Sequence, residues 1–142
     1  MGIDRGKFIT IPLSMEVIMF NRPMFAASLI MGCAAFIHFF AGGLEIYDPL
    51  RSSSQDMLVI SVLSVVWHFV SVQLVLMALA LYHLARHPNR ALFVFLLATQ
   101  IGFTLLFLGY GTVDMGSLMP MPQWTIFLAV ALLMVWGRPR TL

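Results

Sequence analysis

The sequence predicts an all-α integral membrane protein, a polytopic bundle of four transmembrane helices with both termini on the cytoplasmic side. Three observations carry that prediction. Apolar residues make up 61% of the 142 and charged residues only 10%, against roughly 45–50% and about 25% in ordinary soluble domains. So few charges cannot cover so much apolar surface in water, so lipid is the solvent for most of the chain. The apolar residues gather into four runs, and seven of the eight Lys and Arg residues fall on one side if every run crosses once.

A single domain, residues 1–142, accommodates all four runs, with residues 1–22 as a cytoplasmic or interfacial leader. Within the leader, Phe8-Ile9-Thr10-Ile11-Pro12-Leu13 is apolar but short, and its expected place is the inner membrane surface, the alternative being a disordered leader. A cleavable signal peptide is not expected, because the first apolar run is too long and no small-x-small site follows it.

Crossing about 30 Å of hydrocarbon takes about 20 helical residues. The first run, 24–44, opens after Pro23, which suits a first helical turn because its missing N–H has no partner there anyway. The second, 57–82, follows Ser52-Ser53-Ser54-Gln55-Asp56, rich in N-capping side chains. The third, 91–110, follows the turn His87-Pro88-Asn89-Arg90. The fourth, 120–136, is short, which implies an earlier start near Leu118 or a locally thinned bilayer. Barrel strands would instead show alternating runs of about ten residues.

Orientation follows from the flanks. Arg5, Lys7, Arg22, Arg86, Arg90, Arg138 and Arg140 fall on one side. Arg51 lies on the other among Glu45, Asp48, Asp56 and Asp114. The basic side is cytoplasmic by the positive-inside rule, and the expected location is a bacterial cytoplasmic (inner) membrane. Trp124 and Trp136 bracket the fourth helix, as amphipathic rings do at membrane interfaces.

Composition and spacing also exclude function classes. No dense basic stripe is present, so a nucleic-acid partner is not expected. The single cysteine, Cys33, can form neither an intrachain disulfide nor a redox pair, and reads as a small buried apolar side chain. The two hairpins do not resemble each other, which gives no support to an inverted-repeat transporter. His83 and His87 lie one turn apart, but with Arg86 and Arg90 beside them they read as a basic headgroup anchor.

Polar groups inside lipid are costly, so they mark the candidate site. His38, Ala41, Gly42 and Glu45 share one face of the first helix, and Ser61, Ser64, His68 and Ser71 share one face of the second. The third helix adds Gln100 with Thr104 one turn on. A ligand-binding set of His38, Glu45, Ser64, His68 and Gln100 is therefore expected, opening outward and binding or translocating a small solute or proton, without catalysis. Two alternatives stand beside it. One is an accessory subunit whose buried polar groups serve assembly, as part of a homo-oligomer or a larger membrane complex. The other is a haem b protein with His38 and His68 as axial ligands. Counted from the outer helix ends, those histidines differ in depth by about 7 Å, which disfavours the haem. No metal site is expected, because a third convergent ligand is lacking.

Overall fold

A computed structural model describes residues 20–138, and all regular structure within that range is helical. The leader segment and the charges of Arg5, Lys7 and Arg140 lie outside the described residues. Helix α1 (Arg22–Gly42) runs on through a π-helical turn (Gly43–Tyr47) into α2 (Asp48–Arg51), making one rod. Then come α3 (Met57–Arg86), α4 (Arg90–Val113) and α5 (Trp124–Trp136). The first rod, α3 and α4 are each long and apolar enough to cross a membrane.

Local chemistry sets the ends. The Asn21 side-chain oxygen accepts from Met24 N at 3.2 Å and starts α1. Asp56 caps α3 through Leu58 N at 2.7 Å, and Asn89 caps α4 through Leu92 N at 2.9 Å. Helix α3 stops before Pro88, which drives His87 into an extended conformation (φ −130°, ψ 99°). Pro49 explains the π turn. It offers no N–H to the carbonyl four residues back, and its ring crowds that carbonyl. The preceding turn widens in response, with Asp48 N bonding to Gly43 O, a five-residue step.

The first rod therefore extends to Arg51, seven residues past the Leu44 boundary that hydrophobicity alone sets. The last helix is shorter than expected. It begins at Trp124 and its 13 residues reach only about 20 Å. The stretch between α4 and α5 folds back on the end of α4, where Ser117 N bonds Gly111 O at 3.0 Å. The Leu118 side chain lies where a Cβ on Gly111 would meet it at 3.0 Å.

One residue gathers three helix ends. Asn21 N donates to Ala85 O (2.9 Å) at the close of α3, and Asn21 Nδ2 donates to Gly137 O (2.6 Å) just past α5. Gly137 has to be glycine, since a Cβ there would lie 2.8 Å from both Asn21 Oδ1 and Pro23 Cβ. The start of α1 and the ends of α3 and α5 thus share one end of the bundle, and α4 leaves from that end after the short turn. Arg22, Arg86, Arg90 and Arg138 all cluster there. Glu45, Asp48, Arg51, Asp56 and Asp114 lie at the other end.

Packing follows the same polarity. Helix α1 sits between α3 and α5, and α5 lies against α4. Ser28 Oγ ties α1 to α3 by donating to Ala78 O at 2.9 Å, and Phe127 of α5 stacks on Phe103 and Phe107 of α4. The core consists of Met24, Met31, Met77, Leu81, Val130 and Met134 with their neighbours, all nearer the Asn21 end. Toward the acidic end the helices lose mutual cover, because α5 is too short to reach it. Cys33 corrects an expectation of burial, for it is exposed on α1. A thiol is weakly polar and tolerates either a core or an exposed helix face, so apolar character alone does not place it.

Candidate functional site

The polar groups of α1 and α3 meet above the packed core. His38 stacks on the Trp67 indole with ring centroids 4.1 Å apart, and its Nε2 lies 3.4 Å from the Trp67 carbonyl oxygen. The same carbonyl accepts from Ser71 Oγ at 3.2 Å. Gly42 makes room for the indole, because a Cβ at that position would come within 3.1 Å of Trp67 Cη2. Tyr47, the last residue of the π turn, stacks on Trp67 at 5.9 Å and meets His68 edge-on at 5.1 Å. Arg51 Nη1 donates to the Tyr47 hydroxyl at 3.5 Å.

Beside this cluster lies a groove of about 420 Å³. Phe39, Phe40, Leu44, Tyr47 and Asp48 line it from the first rod, and Trp67 and His68 line it from α3. Asp48 is the one carboxylate among the lining residues. Three features of the sequence build the groove: Gly42 admits the indole, Pro49 forces the wide turn, and that turn delivers Tyr47 to the face of α3.

The expected site residues divide. His38 and His68 belong to one cluster, with His68 lining the groove. Ser64 is half-buried on the same stretch of α3, donates to Ile60 O at 2.8 Å, and stands with its oxygen beside the Tyr47 hydroxyl. Glu45 is exposed on the π turn and does not line the groove. Gln100 lies elsewhere, fully buried in the core, with Nε2 3.4 Å from Met77 Sδ and Oε1 without a partner. Thr104 donates to the Gln100 backbone carbonyl at 2.9 Å rather than to its side chain. Tyr47 and Asp48 were absent from the expected set. The signal for them is Pro49, which marks a break in helical register at the outer end of an otherwise regular run.

Counted from the shared end of the bundle, His38 stands about 24 Å up its helix and His68 about 27 Å up its own. Their levels are thus closer than counting from the outer ends suggests, because the first rod runs on past Leu44. A haem plane still does not fit between them. One face of His38 lies on the Trp67 indole, its Nε2 points at the Trp67 carbonyl, and Gly42 packs on that indole from the same helix. Among the described residues, no three His, Cys, Asp or Glu side chains converge as a metal site requires.

At the basic end, His83 and His87 lie 4.9 Å apart, and the Arg86 guanidinium sits 4.7 Å over the Tyr82 ring. A second hollow of about 260 Å³ runs along Leu105, Gly109, Tyr110 and Asp114. It is lined by one helix and the residue after it, so no second element faces a ligand there. No protein-family model, curated protein or solved structure matches the chain.

Proposed function

We propose that the chain is an integral protein of a bacterial cytoplasmic membrane, crossing it four times with both termini inside, and that its groove binds a small molecule arriving from the outer side. The orientation rests on charge. The end gathered by Asn21 carries Arg22, Arg86, Arg90 and Arg138, and the sequence before Asn21 contains Arg5 and Lys7. Helix α5 completes the fourth crossing together with the folded-back stretch above it. Irregular backbone at membrane depth is tolerated where protein satisfies it, and the bond from Ser117 N to Gly111 O does part of that.

The observation that carries the functional reading is the division of the bundle into two halves. The inner half is filled by side chains with almost no exposure, among them Met24, Met31, Met77, Leu81 and Met134. The outer half holds the groove with its aromatic rings, imidazole and carboxylate. A filled inner half favours binding over translocation, since a transport path needs polar or hydrated groups along its whole length.

Thiol labelling tests this reading in a chain whose Cys33 has been replaced by serine. Leu44→Cys, in the groove wall, should react with a membrane-impermeant maleimide added outside, and Met77→Cys, in the inner core, should react from neither side. A Leu44→Cys thiol that stays unreactive from outside refutes the outward groove. A Met77→Cys thiol reached from both sides would instead show a through-path. A second reading, an accessory subunit, draws on the outer half of α3, where Leu58, Val65 and Phe69 all face outward. Stoichiometric co-purification of another membrane subunit, lost on replacing those residues, would favour it.

A further inference from the structure

We infer that the groove is a site for an amphipathic organic cation, with an apolar body against Phe39, Phe40 and Leu44 and a positive centre beside Asp48, Tyr47 and Trp67. This rests on the outward-opening groove proposed above and adds the class of its ligand.

Three independent features select a cation. The groove lining contains a carboxylate, Asp48, and no Lys or Arg. Two of its lining residues, Tyr47 and Trp67, are aromatic and are held in place by mutual stacking at 5.9 Å. Rings fixed in that way attract a positive centre, and more strongly where water is partly excluded. The surrounding end of the bundle is acidic, with Glu45, Asp56 and Asp114 joining Asp48 against one guanidinium, Arg51. Such an excess raises the local concentration of cations.

Arg51 is the group that opposes this reading, and its position limits its effect. It stands one turn beyond Tyr47, is exposed, and reaches the Tyr47 hydroxyl from outside the groove lining. Asp48 is exposed too and lies one turn from Arg51, so the guanidinium offsets part of its charge, but Asp48 lines the groove and Arg51 does not.

The vertical order of the groups selects the shape of the ligand. Phe39 and Phe40 lie about 26 Å above the start of the first helix, and Asp48 about 39 Å above it. Hydrocarbon is about 30 Å thick and the headgroup region extends beyond it. The groove therefore crosses the level where lipid tails give way to headgroups, with its apolar wall below and its carboxylate above. A molecule with one apolar body and one cationic end matches that order. A zwitterionic phospholipid does not, because its phosphate, which precedes the ammonium on the way out, would reach Asp48 first.

A pair of ions of the same shape and opposite charge tests the inference. In a chain carrying Trp124→Phe and Trp136→Phe, Trp67 is the one remaining indole, and its fluorescence reports on the groove. Tetraphenylphosphonium should change that signal saturably in the purified protein, and tetraphenylborate should bind at least about tenfold more weakly. Asp48→Asn should weaken the cation about tenfold or more and leave the anion unchanged or tighter, with thermal unfolding in detergent showing that the variant is folded. Phe40→Leu should weaken the cation several-fold while preserving the preference for it.

Equal binding of both ions, insensitive to Asp48→Asn, would overturn the cation assignment. Saturable displacement of the cation by zwitterionic phospholipid at comparable affinity would overturn it too. Absence of any saturable Trp67 response would remove the site for this ligand class. The outward groove itself is judged separately by reaction of the Leu44→Cys thiol, so the two failures cannot be confused.

Discussion

Replacing Asn21 by alanine removes two of the three links that this residue makes, and the structure sets the size of the loss. The side-chain oxygen caps α1 through Met24 N, and loss of an N-cap costs about 1 kcal/mol. The Nδ2 bond to Gly137 O, at 2.6 Å, contributes about 1 kcal/mol net, and a buried carbonyl left without its donor costs about 1–3 kcal/mol. Gly137 is buried, so the larger part of that range applies only where water cannot enter. The third link, from the backbone N–H to Ala85 O, survives. Asn21→Ala should therefore lower stability by about 2–3 kcal/mol, read from tryptophan fluorescence during denaturant titration in mixed micelles. Asn21→Asp isolates half of this effect. Aspartate caps as well as asparagine but has no donor for Gly137 O, so a loss of at least about 1 kcal/mol should remain. Gly137→Ala, which drives a methyl into Asn21 and Pro23, should couple to it and lose less in the Asn21→Ala background than alone. A change below about 0.5 kcal/mol for Asn21→Ala, or strict additivity with Gly137→Ala, would show that the three helix ends do not meet through this side chain.

Two further outcomes follow from the same packing. Gln100→Leu should raise stability by about 1–2 kcal/mol, because it removes an orphaned buried oxygen and gives up only a weak bond to Met77 Sδ; a fall in the unfolding midpoint would mean that Oε1 has a partner essential to the fold. His38→Leu combined with His68→Leu should leave the melting temperature within a few degrees of the parent, since the 3.4 Å contact of His38 is long and the Trp67 carbonyl keeps Ser71; unfolding of the double variant would assign both histidines to packing.

Much of the architecture was legible because it depends on composition over long windows. Runs of about 20 apolar residues name helices whatever their neighbours, and Asp56, Asn89 and Pro88 mark starts and stops by local hydrogen bonding that any chain must satisfy. What escaped depends on register and on contacts between distant segments. Hydropathy falls off at Glu45, yet the helix continues to Arg51, because hydrogen bonding rather than hydrophobicity sustains it. Pro49 was visible as a residue but its effect, a π turn that swings Tyr47 onto α3, needs the partner helix to be seen. Ser61, Ser64, His68 and Ser71 share one helix face, yet Ser64 and Ser71 donate back to their own helix, so their spacing carries less information than it suggests. Gln100 belongs to the expected set as a polar residue inside an apolar run, while the structure places it in the core against Met77. A polar residue inside a run shows that a partner is needed, and a site needs direction as well. The role of Asn21 was unreadable for a similar reason, since its partners lie 64 and 116 residues away.

The proposed fourth crossing depends on α5, whose 13 residues alone do not span hydrocarbon. Single thiols at Ser53 and Arg138, in a chain whose Cys33 is replaced by serine, test it with a membrane-impermeant maleimide on intact cells. Ser53→Cys should react from outside, and Arg138→Cys should react only after the membrane is opened. Reaction of Arg138→Cys in intact cells would place the end of α5 outside and contradict both the fourth crossing and the junction that Asn21 makes.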